Sequence, residues 1–174
     1  HQDGVFFIHT NYKSPNYRLV KMTLDASNKD QWVDLIPETE NVLSISSGGG
    51  KIFASYLKDA ITEVKQFDYA GTLERTVELP GVGTAGGFYA KKEETELYYT
   101  FTSYITPGSI YKYDIATGKS ELYNSPKVQF DPSQYESKQV FYTSKDGTKI
   151  PMIITHKKGL ELNGKNPTIL YGYG

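Results

Sequence analysis

A phrase of three short apolar strands, separated by turn residues, recurs along the chain at an interval of 45 to 46 residues. The first copy runs through residues 5–11, 17–25 and 32–36, and the second through residues 51–58, 63–69 and 73–79. The third runs through residues 96–103, 109–115 and 121–123. Ser14-Pro15-Asn16, Ser27-Asn28, Ala70-Gly71, Pro107-Gly108 and Thr117-Gly118 supply the turn chemistry between strands. Residues 42–46 and 84–89 precede the second and third copies and read as the innermost strands of their repeats. A period of this size with several strands per repeat predicts the blades of a β-propeller. One blade buries its faces only against its neighbours, so about three blades form an arc and not a closed ring. An arc leaves flat apolar sheet faces uncovered, so the isolated chain is expected to self-associate through them.

Composition agrees with an all-β chain. Among 174 residues there are 15 tyrosines and 8 phenylalanines, which favour pleated half-buried surfaces, punctuated by 16 glycines and 8 prolines. No helical periodicity of useful length is present. The 19 basic and 20 acidic side chains leave a net charge of −1 with no block of one sign, which argues against a nucleic-acid partner. The absence of cysteine excludes a disulfide framework and any cysteine-ligated metal. No apolar run reaches the length of a membrane span, and the first residues lack the pattern of a signal peptide.

The pattern changes near Lys127, where a domain boundary is expected, dividing the chain into residues 1–127 and 128–174. Beyond it, residues 140–144 alternate, Asp146-Gly147 follows, and residues 148–155 resume an apolar β-branched run. This predicts a hairpin closed by a tight primed turn. A second turn at Asn163-Gly164 leads past Pro167 to residues 168–171, which read as a short buried strand ending on Gly172, Tyr173 and Gly174.

The stretches SPNYRLVKM, FTSYITPGSIY, VFYTSKDGTKIPM, THKKG and LYGYG stand in one order and spacing. Together they resemble the prolyl oligopeptidase family over residues 11–174. The resemblance implies a serine peptidase that cleaves short peptides on the carboxyl side of proline, built from a seven-bladed β-propeller capping an α/β-hydrolase domain. This chain would hold the last blades, then the initial hairpin and third strand of the hydrolase domain. By matching position, Tyr173 would be the catalytic contributor, giving its phenolic O–H to the oxyanion hole. The family's Ser, Asp and His would lie beyond Gly174, so the chain alone should be inactive. No metal or organic cofactor is implied. The implied partners are short proline-containing peptides, with a cytoplasmic or bacterial periplasmic location. A relative cleaving after basic residues, oligopeptidase B, is the nearest rival within the superfamily, and a non-enzymatic β-repeat binding module is the rival of another class.

Other reactive residues read as structural. No serine stands in a GxSxG elbow, and Ser14, Ser103 and Ser144 adjoin turns where a hydroxyl bonds local backbone. His1, His9 and His156 lack ligand spacing, and His156 reads as a surface residue leading the basic turn Lys157-Lys158. Gly48-Gly49-Gly50-Lys51 fails as a phosphate loop, because Ile52 stands where a hydroxyl is required, and reads as a glycine hairpin. Gly86-Gly87 is expected to serve a close turn or tight packing near the propeller axis.

Overall fold

Each recurrence folds as one antiparallel meander, because strands joined by short turns find their sequence neighbours first. The computed structural model describes residues 4–25 and 28–172; its two compact units are His1–Lys127 and Val128–Gly174. Among the described residues the chain is strands and turns, with single 3-10 turns at Lys29–Gln31 and Pro132–Gln134 and no α-helix.

In the first unit, β1 (Val5–Thr10), β2 (Arg18–Thr23) and β3 (Val33–Ile36) form a three-stranded sheet in that order. The second sheet is β4 (Leu43–Gly48), β5 (Lys51–Lys58), β6 (Ile61–Phe67) and β7 (Leu73–Thr76), again in sequence order. The third is β8 (Thr84–Tyr89), β9 (Glu96–Thr102), β10 (Ser109–Asp114) and β11 (Ser120–Asn124). The expected strands thus form, with ends displaced by a few residues, and β4 and β8 stand at the edges of their sheets.

The second sheet is covered on both faces. Ile52, Ala54 and Tyr56, with Leu43 of β4, pack against Leu19, Leu35 and Ile36 of the first sheet. Phe53 and Val64 point the other way, into Phe88, Leu97, Tyr99, Phe101 and Tyr113 of the third sheet. β5 is therefore apolar at successive positions, whereas β9 strictly alternates, burying Leu97, Tyr99 and Phe101 and exposing Glu96, Tyr98 and Thr100. The two burial patterns are what a sheet between neighbours and a sheet covered on one face demand.

The turns are of two kinds. Between β4 and β5, Gly48 pairs with Lys51 across Gly49 and Gly50, whose φ angles of 55° and 70° make the expected glycine hairpin a two-residue primed turn. Glycine is needed there twice over, since a Cβ on Gly49 would lie 2.3 Å from Ile115 Cδ1 and 2.6 Å from the Glu94 carbonyl oxygen. Between β5 and β6 the same geometry is imposed on Asp59 and Ala60, at φ 51° and 67°. The connections from β6 to β7 and from β10 to β11 instead rest on an aspartate. Asp68 accepts from the N–H groups of Ala70 and Thr72, and Asp114 from the N–H and hydroxyl of Thr117.

The second unit is a two-stranded antiparallel ribbon of β12 (Tyr135–Thr143) and β13 (Lys149–Lys157), in register from Tyr135 opposite Lys157 to Thr143 opposite Lys149. Its turn differs from the tight primed turn the Asp-Gly pair suggests. Ser144 N–H donates to Thr148 C=O and Gly147 N–H to Ser144 C=O, and only Gly147 has positive φ. This is the three-residue loop with a left-handed glycine, which Asp146 favours by accepting from the Thr148 N–H. Residues 168–171, expected as a buried strand, form no ladder, and Ile169 is 94 % exposed. Their β-branched sequence suits a strand, but a strand forms only against a partner, and none lies beside it among the described residues.

Candidate functional site

Polar chemistry in the first unit concentrates where the second and third sheets meet. Gln66, fully buried on β6, donates through Nε2 to Glu74 Oε2 at 2.7 Å and to the Ile115 carbonyl at 3.1 Å. Its Oε1 accepts from the Tyr113 hydroxyl at 2.6 Å, and Glu74 in turn pairs with Lys51. Burial pushes the Tyr113 phenol up to about 12, so it remains a donor throughout the physiological range. Burial also pushes the Glu74 carboxyl up, but the bonds from Lys51 and Gln66 outweigh it and hold the group below its ordinary value. Arg75 completes the seam by donating to the Ala116 carbonyl. Each Gln66 amide atom is answered, so the network joins the sheets and holds no group poised for proton transfer.

The histidines and turn serines are likewise engaged. His9 Nε2 lies 2.9 Å from the Leu43 carbonyl oxygen, and its ring stacks on Tyr17 at 4.7 Å, joining the first sheet to β4. His156 departs from the surface reading, for its side chain is only 9 % exposed. It sits across the ladder from Glu136, with Nε2 3.5 Å from that carboxylate. The Ser103 hydroxyl accepts from the Ile105 and Thr106 N–H groups, Ser144 bonds Asp146, and Ser14 is buried in the turn that leads to Tyr17. Among the described residues, no serine is hydrogen-bonded to a histidine, and no three His, Asp or Glu side chains gather as a metal site. Tyr173, proposed for the oxyanion hole, lies outside the described residues, as do His1 and Ser27.

The sequence reading missed a cleft of about 470 Å³ between β4 and β8, floored by β5. Ser44, Ser46, Ser55 and Thr62 give it hydroxyls, and Tyr89 gives it aromatic surface. The Gly86-Gly87 pair was its available signal. It sits on the cleft wall, where the ladder between β8 and β9 shifts register and Gly87 takes φ 98°.

Comparison with known proteins decides the lineage. The family model described as the prolyl oligopeptidase N-terminal β-propeller domain matches residues 1–126. The chain belongs to the prolyl oligopeptidase family. A prolyl endopeptidase of Elizabethkingia miricola is 56% identical over 173 residues, 99% of this chain and 24% of that protein. A prolyl endopeptidase of Dictyostelium discoideum is 33% identical over 186 residues, again 99% of this chain and 24% of that protein. The chain therefore spans about a quarter of the length of these relatives. Among solved structures, one from a study of two prolyl endopeptidases superposes with a TM-score of 0.80 at 39% identity, covering 92% of this chain and 24% of that one. The apo prolyl oligopeptidase B of Galerina marginata gives a TM-score of 0.80 at 29% identity, over the same shares. The resemblance read from the five sequence stretches is thus borne out. Prolyl oligopeptidase ancestry gives the all-β first unit its place, as part of the family's propeller domain. No helix among the described residues is long and apolar enough to cross a membrane.

Proposed function

We propose that the whole protein is a serine-type endopeptidase that hydrolyses short peptides on the carboxyl side of proline through an acyl-enzyme. In this reading the three sheets of residues 1–127 are three propeller blades, and residues 128–174 open the hydrolase domain. The observation that carries it is the 56% identity with a prolyl endopeptidase, which runs over 173 residues and so spans both units. That the relatives are prolyl endopeptidases supports proline over a basic residue at the cleaved bond.

Attack of a serine on a peptide carbonyl places negative charge on its oxygen, and a fixed donor aimed at that oxygen lowers the barrier. Tyr173 is assigned that role, with its phenolic O–H as donor. The test is Tyr173→Phe in the full-length protein, assayed on a proline-containing chromogenic peptide. The expected fall in kcat is roughly one to three orders of magnitude with KM little changed. An unchanged kcat removes Tyr173 from the site. The 174-residue chain by itself is expected to show no turnover of the same substrate, and turnover that survives further purification overturns the assignment of the nucleophile to the remainder of the protein.

A further inference from the structure

The cleft between the second and third sheets has an unusual construction at the level of the backbone. β4 and β8 run in the same direction, and among the described residues their backbones bond just past their far ends, where Ala90 N–H donates to Ser47 C=O and Gly49 N–H to Lys91 C=O. At its beginning, β8 lies over β6 instead. Thr62 N–H donates to the Gly83 carbonyl there, and the Ala85 N–H to the Thr62 hydroxyl. The two strands therefore splay apart, and the cleft is the wedge between them.

β4 is the first strand of its sheet, so alternate residues direct their main-chain groups away from β5. Leu43 and Ser47 do so, and both are answered, by Asn16 C=O and by Ala90 N–H. Ile45 stands midway between them in the same phase. Among the described residues no protein group bonds its N–H or its C=O. Across the wedge, at the β8–β9 register shift, Gly86 carries no side chain, and a Cβ built on it meets nothing within 4 Å. None of the residues lining the cleft is acidic or basic.

We propose that this wedge binds a short, uncharged, extended peptide by strand addition to the free edge of β4 at Ile45. An edge strand with an unpaired donor and acceptor is a template for another extended chain, and main-chain bonding gives affinity with little sequence demand. From Leu43 to Ser47 the edge offers about 13 Å, at about 3.3 Å per residue, which seats about four residues of guest. A charged guest side chain would lose its hydration in a cleft whose lining offers no counter-charge, so neutral residues are favoured. Gly86 lets the guest's main chain approach where a larger residue would fill the space. The inference stands on the cleft alone and is independent of the peptidase reading.

The test is titration of the isotopically labelled chain with acetyl-Thr-Val-Thr-Val-Thr-amide, followed by amide NMR. Shifts are expected at Ile45, Gly87 and Phe88. Because alternate guest residues face the edge, N-methylation of one alternating set should weaken binding by about tenfold, the loss of one or two main-chain hydrogen bonds, and of the other set hardly at all. Gly86→Leu should fill the wedge and weaken binding by at least about tenfold, with the thermal melt little changed because its backbone is not left-handed. Absence of shifts at millimolar peptide, shifts elsewhere, or equal sensitivity to both methylated sets overturns the proposal. The methylated series uses the unaltered chain, so it decides the matter even if Gly86→Leu does not fold.

Discussion

At the scale of single residues, the two primed turns of the second sheet form a natural comparison. Gly49-Gly50 meets the positive φ requirement without cost, whereas Asp59-Ala60 adopts it against the clash of Cβ with the following carbonyl. Ala60→Gly should therefore raise stability by about 0.5–1 kcal/mol, read as an increased urea midpoint at unchanged slope. Gly49→Ala should lower it by about 1–3 kcal/mol, since the new methyl meets both Ile115 and a carbonyl oxygen. Tyr113 gives a second test. Its phenol is raised to about 12 when folded, against an ordinary value near 10, so its contribution is complete below about pH 10 and is lost as pH climbs toward 12. Tyr113→Phe should show a shallower decline of stability between those limits, measured by urea titration at each pH. An identical decline in the two proteins would place the alkaline sensitivity elsewhere.

At the scale of elements, period and punctuation carried most of the strand order, because a meander needs only alternation and turn residues at fixed intervals. What they could not carry was contact between sheets. Gln66 reads as one more polar residue on β6, and only the stacking of the third sheet brings Tyr113 and the Ile115 carbonyl to it. His156 was misread for a related reason: its neighbours in sequence are lysines, while its neighbour in space is Glu136. The strand expected over residues 168–171 failed because β-propensity describes the fit of a side chain to a sheet and supplies no partner. One legible signal went unused. Asp68 and Asp114 are 46 residues apart, the spacing of the first two copies, and each closes the same connection in its sheet. The N–H groups of Thr72 and Thr117, respectively, hold these two carboxyls below their ordinary value, so their support is present above that value and lost as pH falls through the folded one. The double variant Asp68→Asn, Asp114→Asn should flatten the acid limb of a melting-temperature profile taken between about pH 5 and pH 2. Asp146, held down to about 2 chiefly by Ser144, should give its dependence to the ribbon alone. Asp146→Asn should therefore alter acid-range amide exchange on β12 and β13 and leave the first unit's profile unchanged.

At the scale of the whole molecule, the first unit is governed by how many faces each sheet has covered. The second sheet has both, and its strand β5 buries Ile52, Phe53 and Ala54 in succession. The third sheet has one. Its other face carries Tyr89, Tyr98 and Tyr123, 73 %, 41 % and 63 % exposed, with the last two rings edge to face at 4.9 Å. Lys112 stands beside them, held by Glu96 and Glu121, so the face is aromatic with a single carboxylate in excess and offers little repulsion to a second apolar surface. The isolated chain is expected to self-associate through it, with a sedimentation coefficient that rises with concentration. Tyr98→Glu combined with Tyr123→Glu should abolish that rise, because added carboxylates beside Glu96 and Glu121 would oppose the contact. Substitutions at such exposed positions usually alter stability by no more than about 0.5 kcal/mol each, so folding should survive. A parent chain that sediments as a monomer across the range would show that an uncovered tyrosine face of this size is tolerated in water. An association that persists in the double variant would move the contact to the first sheet or to the exposed stretch around Ile169.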